Sequence, residues 1–176
     1  MYVVFIHGPA ASGKHTIGSH LSDLTGLPLF HNHFAVDAAM SLFAFGTPQF
    51  NRMRALIWRT GFAEAAASNQ SFIFTFHPES SVDPGLIEEL CNVVTTNNGK
   101  VHFVQLICSR ETVLQRLGNS SRSKFGKMTD PDLYLSIERQ GGFIFPSLPE
   151  PLLVIDTNQV MPDAAAEKIV EALRTA

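Results

Sequence analysis

A glycine at position 8, a second at 13 and a lysine directly after it, within GPAASGKHT (residues 8–16), form a spacing suited to holding phosphate. Gly8 permits a tight turn, and Gly13 lets the backbone approach an anion with no side chain in the way. Successive N–H groups of the loop, including those of Ala11 and Ser12, then point into one concavity. A helix beginning at Lys14 adds its positive end. The Lys14 ammonium suits the outer phosphates of a nucleoside triphosphate, where it offsets charge that builds up during transfer. His15 stands where this pattern usually carries the Ser or Thr whose hydroxyl meets magnesium, and Thr16 follows one position later. Neutral imidazole is a poor magnesium ligand, because that ion prefers oxygen in octahedral geometry. Thr16 is therefore the candidate hydroxyl for the metal, and His15 is a loop residue expected to point away from it.

A second group of chemistry-bearing residues is His31, His33 and Asp37, with His77 after a later apolar run. Imidazole titrates near neutral pH and can move a proton there. If residues 31 to 33 continue a strand, His31 and His33 share a face and can chelate zinc together with His77. Arginines are spread along the chain at 52, 54, 59, 116, 122 and 139.

These residues need elements to position them. Continuous apolar runs at 2–7, 71–76, 101–108 and 152–156, with a shorter one at 27–31, are expected to be strands covered on both faces. Helical periodicity fills the gaps. Ile17, Leu21 and Leu24 share a face in 14–25, and Met53, Leu56, Ile57 and Phe62 in 50–68. Leu86, Ile87, Leu90 and Val94 follow Asp83-Pro84, and Ala165, Ile169, Val170 and Leu173 follow Pro162. Strand–helix alternation implies right-handed crossovers and an α/β parallel sheet with helices on both faces. The 176 residues are read as one domain, 45% hydrophobic and 16% charged. The polar stretch GNSSRSKFGK (118–127) reads as an exposed, mobile segment or an ordinary surface loop.

The loop, helix and second strand in GPAASGKHTIGSHLSDLTGLPLF resemble the opening of P-loop small-molecule kinases, most closely the shikimate kinase-like group. Adenylate and gluconate kinases are similar more distantly. The resemblance covers most of the chain and implies a P-loop sandwich with strand order 2-3-1-4-5, a lid at about 118–128, ATP and Mg2+. It also implies roles for the later motifs. CSRETVLQRLGNSSRSK places Arg116 near adenine and Arg122 in the lid, against the transferring phosphate. YLSIERQGGF places Arg139 at the acceptor, and IDTNQVMPDAA places Asp156, Thr157 and Asn158 around the base. Arg52 or Arg54 falls where the family holds an acceptor carboxylate. The pattern departs at two strand ends: His31-Asn32-His33 replaces the family's pair of aspartates, and Thr75-Phe76-His77-Pro78 replaces a glycine triplet. The acceptor is therefore not expected to be shikimate. His33 or Asp37 is the candidate base for its hydroxyl, Asp37 being alternatively a holder of magnesium through water, with His31, His77 and Arg54 or Arg52 beside it. Phe34, Phe43, Phe45, Phe50 and Trp58 are expected chiefly in the core, some of them walling that pocket.

Two other function classes stay open on the residues alone: a nucleotide-binding protein without catalysis, and a metal-dependent hydrolase using His31, His33 and His77. A net charge of −3 offers no general attraction to nucleic acid or membrane. No run approaches the roughly 20 apolar residues of a membrane span. Two cysteines, Cys91 and Cys108, suit buried filler in a reducing, cytoplasmic setting. The partners expected are a nucleotide and a small acceptor, in a monomer or homodimer.

Overall fold

The computed structural model describes residues 1–118 and 128–176. Five parallel strands, β1 (Tyr2–His7), β2 (Leu29–His31), β3 (Phe72–Phe76), β4 (Lys100–Ile107) and β5 (Leu153–Asp156), lie in the order β2-β3-β1-β4-β5. Seven helices accompany them among the described residues: α1 (Lys14–Thr25), α2 (Asn32–Met40), α3 (Pro48–Ala67), α4 (Pro84–Thr96), α5 (Arg110–Leu117), α6 (Pro131–Arg139) and α7 (Pro162–Arg174).

The three layers follow from the pleat. Val3 and Phe5 of β1 point to one face and Val4 and Ile6 to the other, all of them fully buried. The first face is aromatic. Phe5, Phe74 and Phe76 pack there under Trp58 and Phe62 of α3 and under Leu86, Ile87, Leu90 and Val94 of α4. The second face is aliphatic, with Ile6, Ile73, Val104 and Ile155 packed under Ile17 and Leu21 of α1 and Ala165, Ala166 and Ile169 of α7. Two expected inward residues are exposed instead: Leu24 sits in the last turn of α1, beyond the sheet, and Leu56 lies on the outer side of α3. The buried row of α3 is Phe50, Arg54, Trp58, Phe62 and Ala66, one every fourth residue.

Helix ends carry their own signals. Asp83, Ser109, Asp130 and Thr47 accept hydrogen bonds from first-turn N–H groups of α4, α5, α6 and α3. Gly26 ends α1 in the left-handed region at φ 73°, donating to Ser22 O. The second strand is shorter than expected because Pro28 lacks an N–H; its carbonyl accepts from Ile73 N at 2.9 Å, and pairing begins at Leu29. That strand also stops at His31, so Asn32 and His33 belong to α2 and not to the strand.

Candidate active site

The register brings the carboxyl ends of the strands together: His7 lies beside Phe76 and Gln105, and His31 beside Thr75. In open parallel sheets ligands bind at this edge. Here β1 runs straight into the glycine loop. A Cβ on Gly8 would fall 2.4 Å from the Leu106 carbonyl oxygen, so the strand-to-loop turn lies flush against β4. Gly13 sits at φ 89° and Ala11 at φ 57°, the latter an uncommon conformation for a residue with a side chain. Gly13 caps α1 without a side-chain hydrogen bond to its first turn. The Lys14 ammonium donates to Gly8 O at 2.8 Å and Pro9 O at 2.6 Å, which holds the loop closed upon itself. His77 Nδ1 reaches the same Gly8 oxygen at 3.2 Å, donating in its Nδ1–H tautomer. Ser12 is fully buried, and its Oγ has no hydrogen-bond partner among the described residues.

From this loop a cavity of about 920 Å3 extends across the strand ends. One end lies between the loop from Ala10 to Ile17, Arg116 of α5 and the chain after β5. Arg116 Nη2 donates to Thr157 O at 2.7 Å and Nη1 to Thr157 Oγ1 at 3.2 Å, while Thr157 Oγ1 donates to Ile107 O. Asn158 Oδ1 accepts from Ser109 N, which ties the same chain to the start of α5. Asp156 does not reach the cavity wall. It accepts from the N and Nδ2 of Asn158 and so shapes the turn after β5.

The other end is walled by Asn32, His33, Val36 and Met40 of α2, by Thr75, and by the chain from His77 to Ser81. Leu133 and Ile137 of α6 and Phe143 complete it. Of the expected residues, His33 and His77 belong to this wall, as do His15 and Thr16 at the loop. Phe45 also lines the cavity, whereas Phe50 and Trp58 are core and Phe34 is exposed.

Four of the expected residues stand outside the cavity wall. His31 is buried and outside the wall; its ring stacks on Phe34 at 3.8 Å and meets the His15 ring edge-on at 4.7 Å. Asp37 is exposed and outside the wall that His33, Val36 and Met40 of the same helix line. Arg139 is exposed and bonds Leu135 O of its own helix, since Leu133 and Ile137 occupy the inner face of α6. Arg54 is 1% exposed and faces the core, where its Nη1 meets Glu79 Oε1 at 2.6 Å and its Nη2 meets Ser81 O at 2.9 Å. Burial lowers the Arg54 pKa, and the Glu79 charge pulls it back up. Arg52 is exposed and Arg59 pairs with Glu89 at the surface.

With His33 on a helix, the proposed histidine metal site does not form. Among the described residues no three His, Cys, Asp or Glu side chains gather to hold an ion. Arg122 and nearly all of the expected lid lie outside the described residues. Cys91 packs against the core, where burial pushes its thiol up to about 11; Cys108 is half-buried beside Asn158. No helix among the described residues is long and apolar enough to cross a membrane.

Two site residues escaped the sequence reading. Glu79 is the sole carboxylate among the described wall residues. Its signal was its place three residues past the end of β3, on the ligand-binding edge. His7, at the end of β1, is 7% exposed and borders a smaller cavity of about 300 Å3 with Gln105 and Tyr134. Burial, and then the nearby Lys14 charge, push its imidazole down to about 4.

No protein-family model matches this chain, and no curated protein sequence does. Solved structures do match along almost its whole length. An unliganded sugar kinase from a Janibacter species is 18% identical with a TM-score of 0.67, over 100% of this chain and 96% of its own. The APS kinase of Mycobacterium tuberculosis, solved with AMPPNP and APS, is 12% identical with a TM-score of 0.65, over 98% and 96%. Shikimate kinase from Aquifex aeolicus is 18% identical with a TM-score of 0.57, over 99% and 97%. From strand order to the glycine loop that leads into α1, the chain has the fold of the P-loop small-molecule kinases.

Proposed function

We propose that this protein is an ATP-dependent phosphotransferase acting on a small hydroxyl-bearing molecule other than shikimate. The observation that carries this reading is one cavity of about 920 Å3, which has the phosphate loop as one wall and α2 with the chain after β3 as another. Such a cavity has room for a donor and an acceptor in line, the arrangement phosphoryl transfer needs. When bound, ATP supplies the phosphoryl group, and magnesium offsets the charge on its oxygens.

The loop N–H groups of Ala11, Ser12 and Gly13 and the Lys14 ammonium hold the phosphates, with His15 packed beside them and Gly8 setting the turn. For this Lys14 exchanges its bonds to Gly8 O and Pro9 O for phosphate oxygens. The exposed Thr16 hydroxyl is the candidate oxygen ligand for magnesium. Arg116, Thr157 and Asn158 form the wall for the base, and Arg122 serves the transferring group as the resemblance implies. At the acceptor end His33 takes the hydroxyl proton, His77 lines the pocket, and Asp37 stays the alternative base if α2 shifts. A cytoplasmic setting, where ATP and magnesium are plentiful, suits this chemistry, and partners other than nucleotide and acceptor are not needed.

Isothermal titration with AMP-PNP and magnesium tests the reading. Wild-type protein binds, and Lys14→Ala weakens binding on the order of 100-fold, the worth of a charge-assisted contact. Equal affinity in the two proteins overturns it. Acceptor-dependent ADP release, lost in His33→Ala, then tests the transfer itself.

A further inference from the structure

Charge is distributed unevenly along the cavity. The lysine and arginine among its described wall residues, Lys14 and Arg116, both belong to the phosphate-loop end. The carboxylate of Glu79 stands at the other end. Its ion-pair partner Arg54 is buried behind it and absent from the wall. Arg54 Nη1 and Ser81 Oγ both reach the same oxygen, Oε1, at 2.6 and 2.9 Å. No donor among the described residues reaches Oε2, and the Glu79 side chain keeps 15% exposure. The same end of the wall carries the apolar Val36, Met40, Phe45, Leu133, Ile137 and Phe143 beside the polar Asn32, His33 and Ser80.

We infer that the acceptor is a non-anionic alcohol with an aromatic or aliphatic body, whose second donor group, hydroxyl or ammonium, meets Glu79 Oε2. The hydroxyl requirement rests on the phosphotransferase reading; the charge preference rests on the wall itself. A carboxylate or phosphate on the acceptor places like charge against Glu79 in a partly apolar site, where such repulsion is weakly screened. The Arg54 guanidinium is outside the wall and enclosed with Phe50 and Trp58, at 5.1 and 5.2 Å from their ring centres, so it offers an anionic acceptor no direct contact. The apolar wall then favours a body able to bury hydrocarbon or an aromatic ring.

Three probes on one skeleton separate the possibilities, titrated into protein loaded with AMP-PNP and magnesium: 3-phenyl-1,2-propanediol (uncharged), phenylalaninol (cationic) and 3-phenyllactate (anionic). The diol and phenylalaninol are expected to bind at least about tenfold tighter than phenyllactate. In the double variant Arg54→Met/Glu79→Gln, which removes both charges together, the gap between phenylalaninol and phenyllactate is expected to shrink to about threefold or less. Phenyllactate binding as tightly as the others overturns the inference. So does failure of all three to bind at millimolar concentration, or an unchanged gap in the double variant. Failure of AMP-PNP to bind overturns the phosphotransferase reading alone, because the same probes titrated without nucleotide still report the charge preference of the wall.

Discussion

Replacing Arg54 by methionine isolates the energetics of the acceptor wall. Methionine fills much of the space between Phe50 and Trp58, so the cavity term is small. What is lost is the 2.6 Å pairing with Glu79 and the donation to Ser81 O at 2.9 Å. Breaking a buried pair from one side costs about 3–5 kcal/mol, and the 15% exposure of Glu79 toward the cavity sets the lower end, about 3 kcal/mol. Glu79→Gln leaves a guanidinium that burial already disfavours without its carboxylate, at a similar cost of about 3 kcal/mol. Arg54 Nε has no acceptor among the described residues, so even the intact pair is incompletely satisfied there. The double variant sheds both desolvated charges and keeps only the loss of the Ser81 contacts and some packing, again about 3 kcal/mol. Additivity gives about 6 kcal/mol, so the coupling energy is about 3 kcal/mol. Urea unfolding followed by the fluorescence of Trp58, the sole tryptophan and itself fully buried, measures all four corners of this cycle at neutral pH. Losses that add to within about 0.5 kcal/mol refute the reasoning, since independent side chains and not a mutually compensated pair then occupy the wall.

Three further outcomes follow from the loop and the strand that feeds it. Gly8→Ala drives a Cβ into the Leu106 carbonyl oxygen, backbone against backbone, and is expected to cost about 3 kcal/mol in the same unfolding assay. A cost under about 1 kcal/mol means that the turn is not flush with β4. His7 titrates near 4 when folded and near 6.5 when unfolded, so its contribution is present in full above pH 6.5 and is lost as pH falls toward 4. The loss amounts to at most about 3 kcal/mol, and His7→Gln flattens the stability profile across that window; an unchanged profile removes His7 as its source. Ser12→Ala deletes a hydroxyl that is buried without a partner among the described residues and is expected to raise the stability of the nucleotide-free protein by up to about 1 kcal/mol while weakening AMP-PNP binding. A drop in stability shows instead that the hydroxyl is satisfied within the fold.

The amino-acid sequence by itself determined the architecture and the phosphate loop, because both are local. Apolar runs such as 2–7 and 72–76 need cover on both faces, and the spacing from Gly8 to Lys14 carries its chemistry within one turn and one helix start. Periodicity also placed Leu86, Ile87, Leu90 and Val94 correctly, because the inner face of one helix is a local property. The acceptor end was decided only by tertiary structure. Arg54 looks like any helix arginine until the fold sets Glu79, 25 residues later, against it. His31 and His33 share a strand face in the sequence, but the strand ends between them, so one is buried beside Phe34 and the other lines the cavity. Phosphate binding is written in backbone geometry that short patterns encode. The wall proposed to select an acceptor is assembled from side chains on five different segments, and its charge depends on which of them neutralise one another.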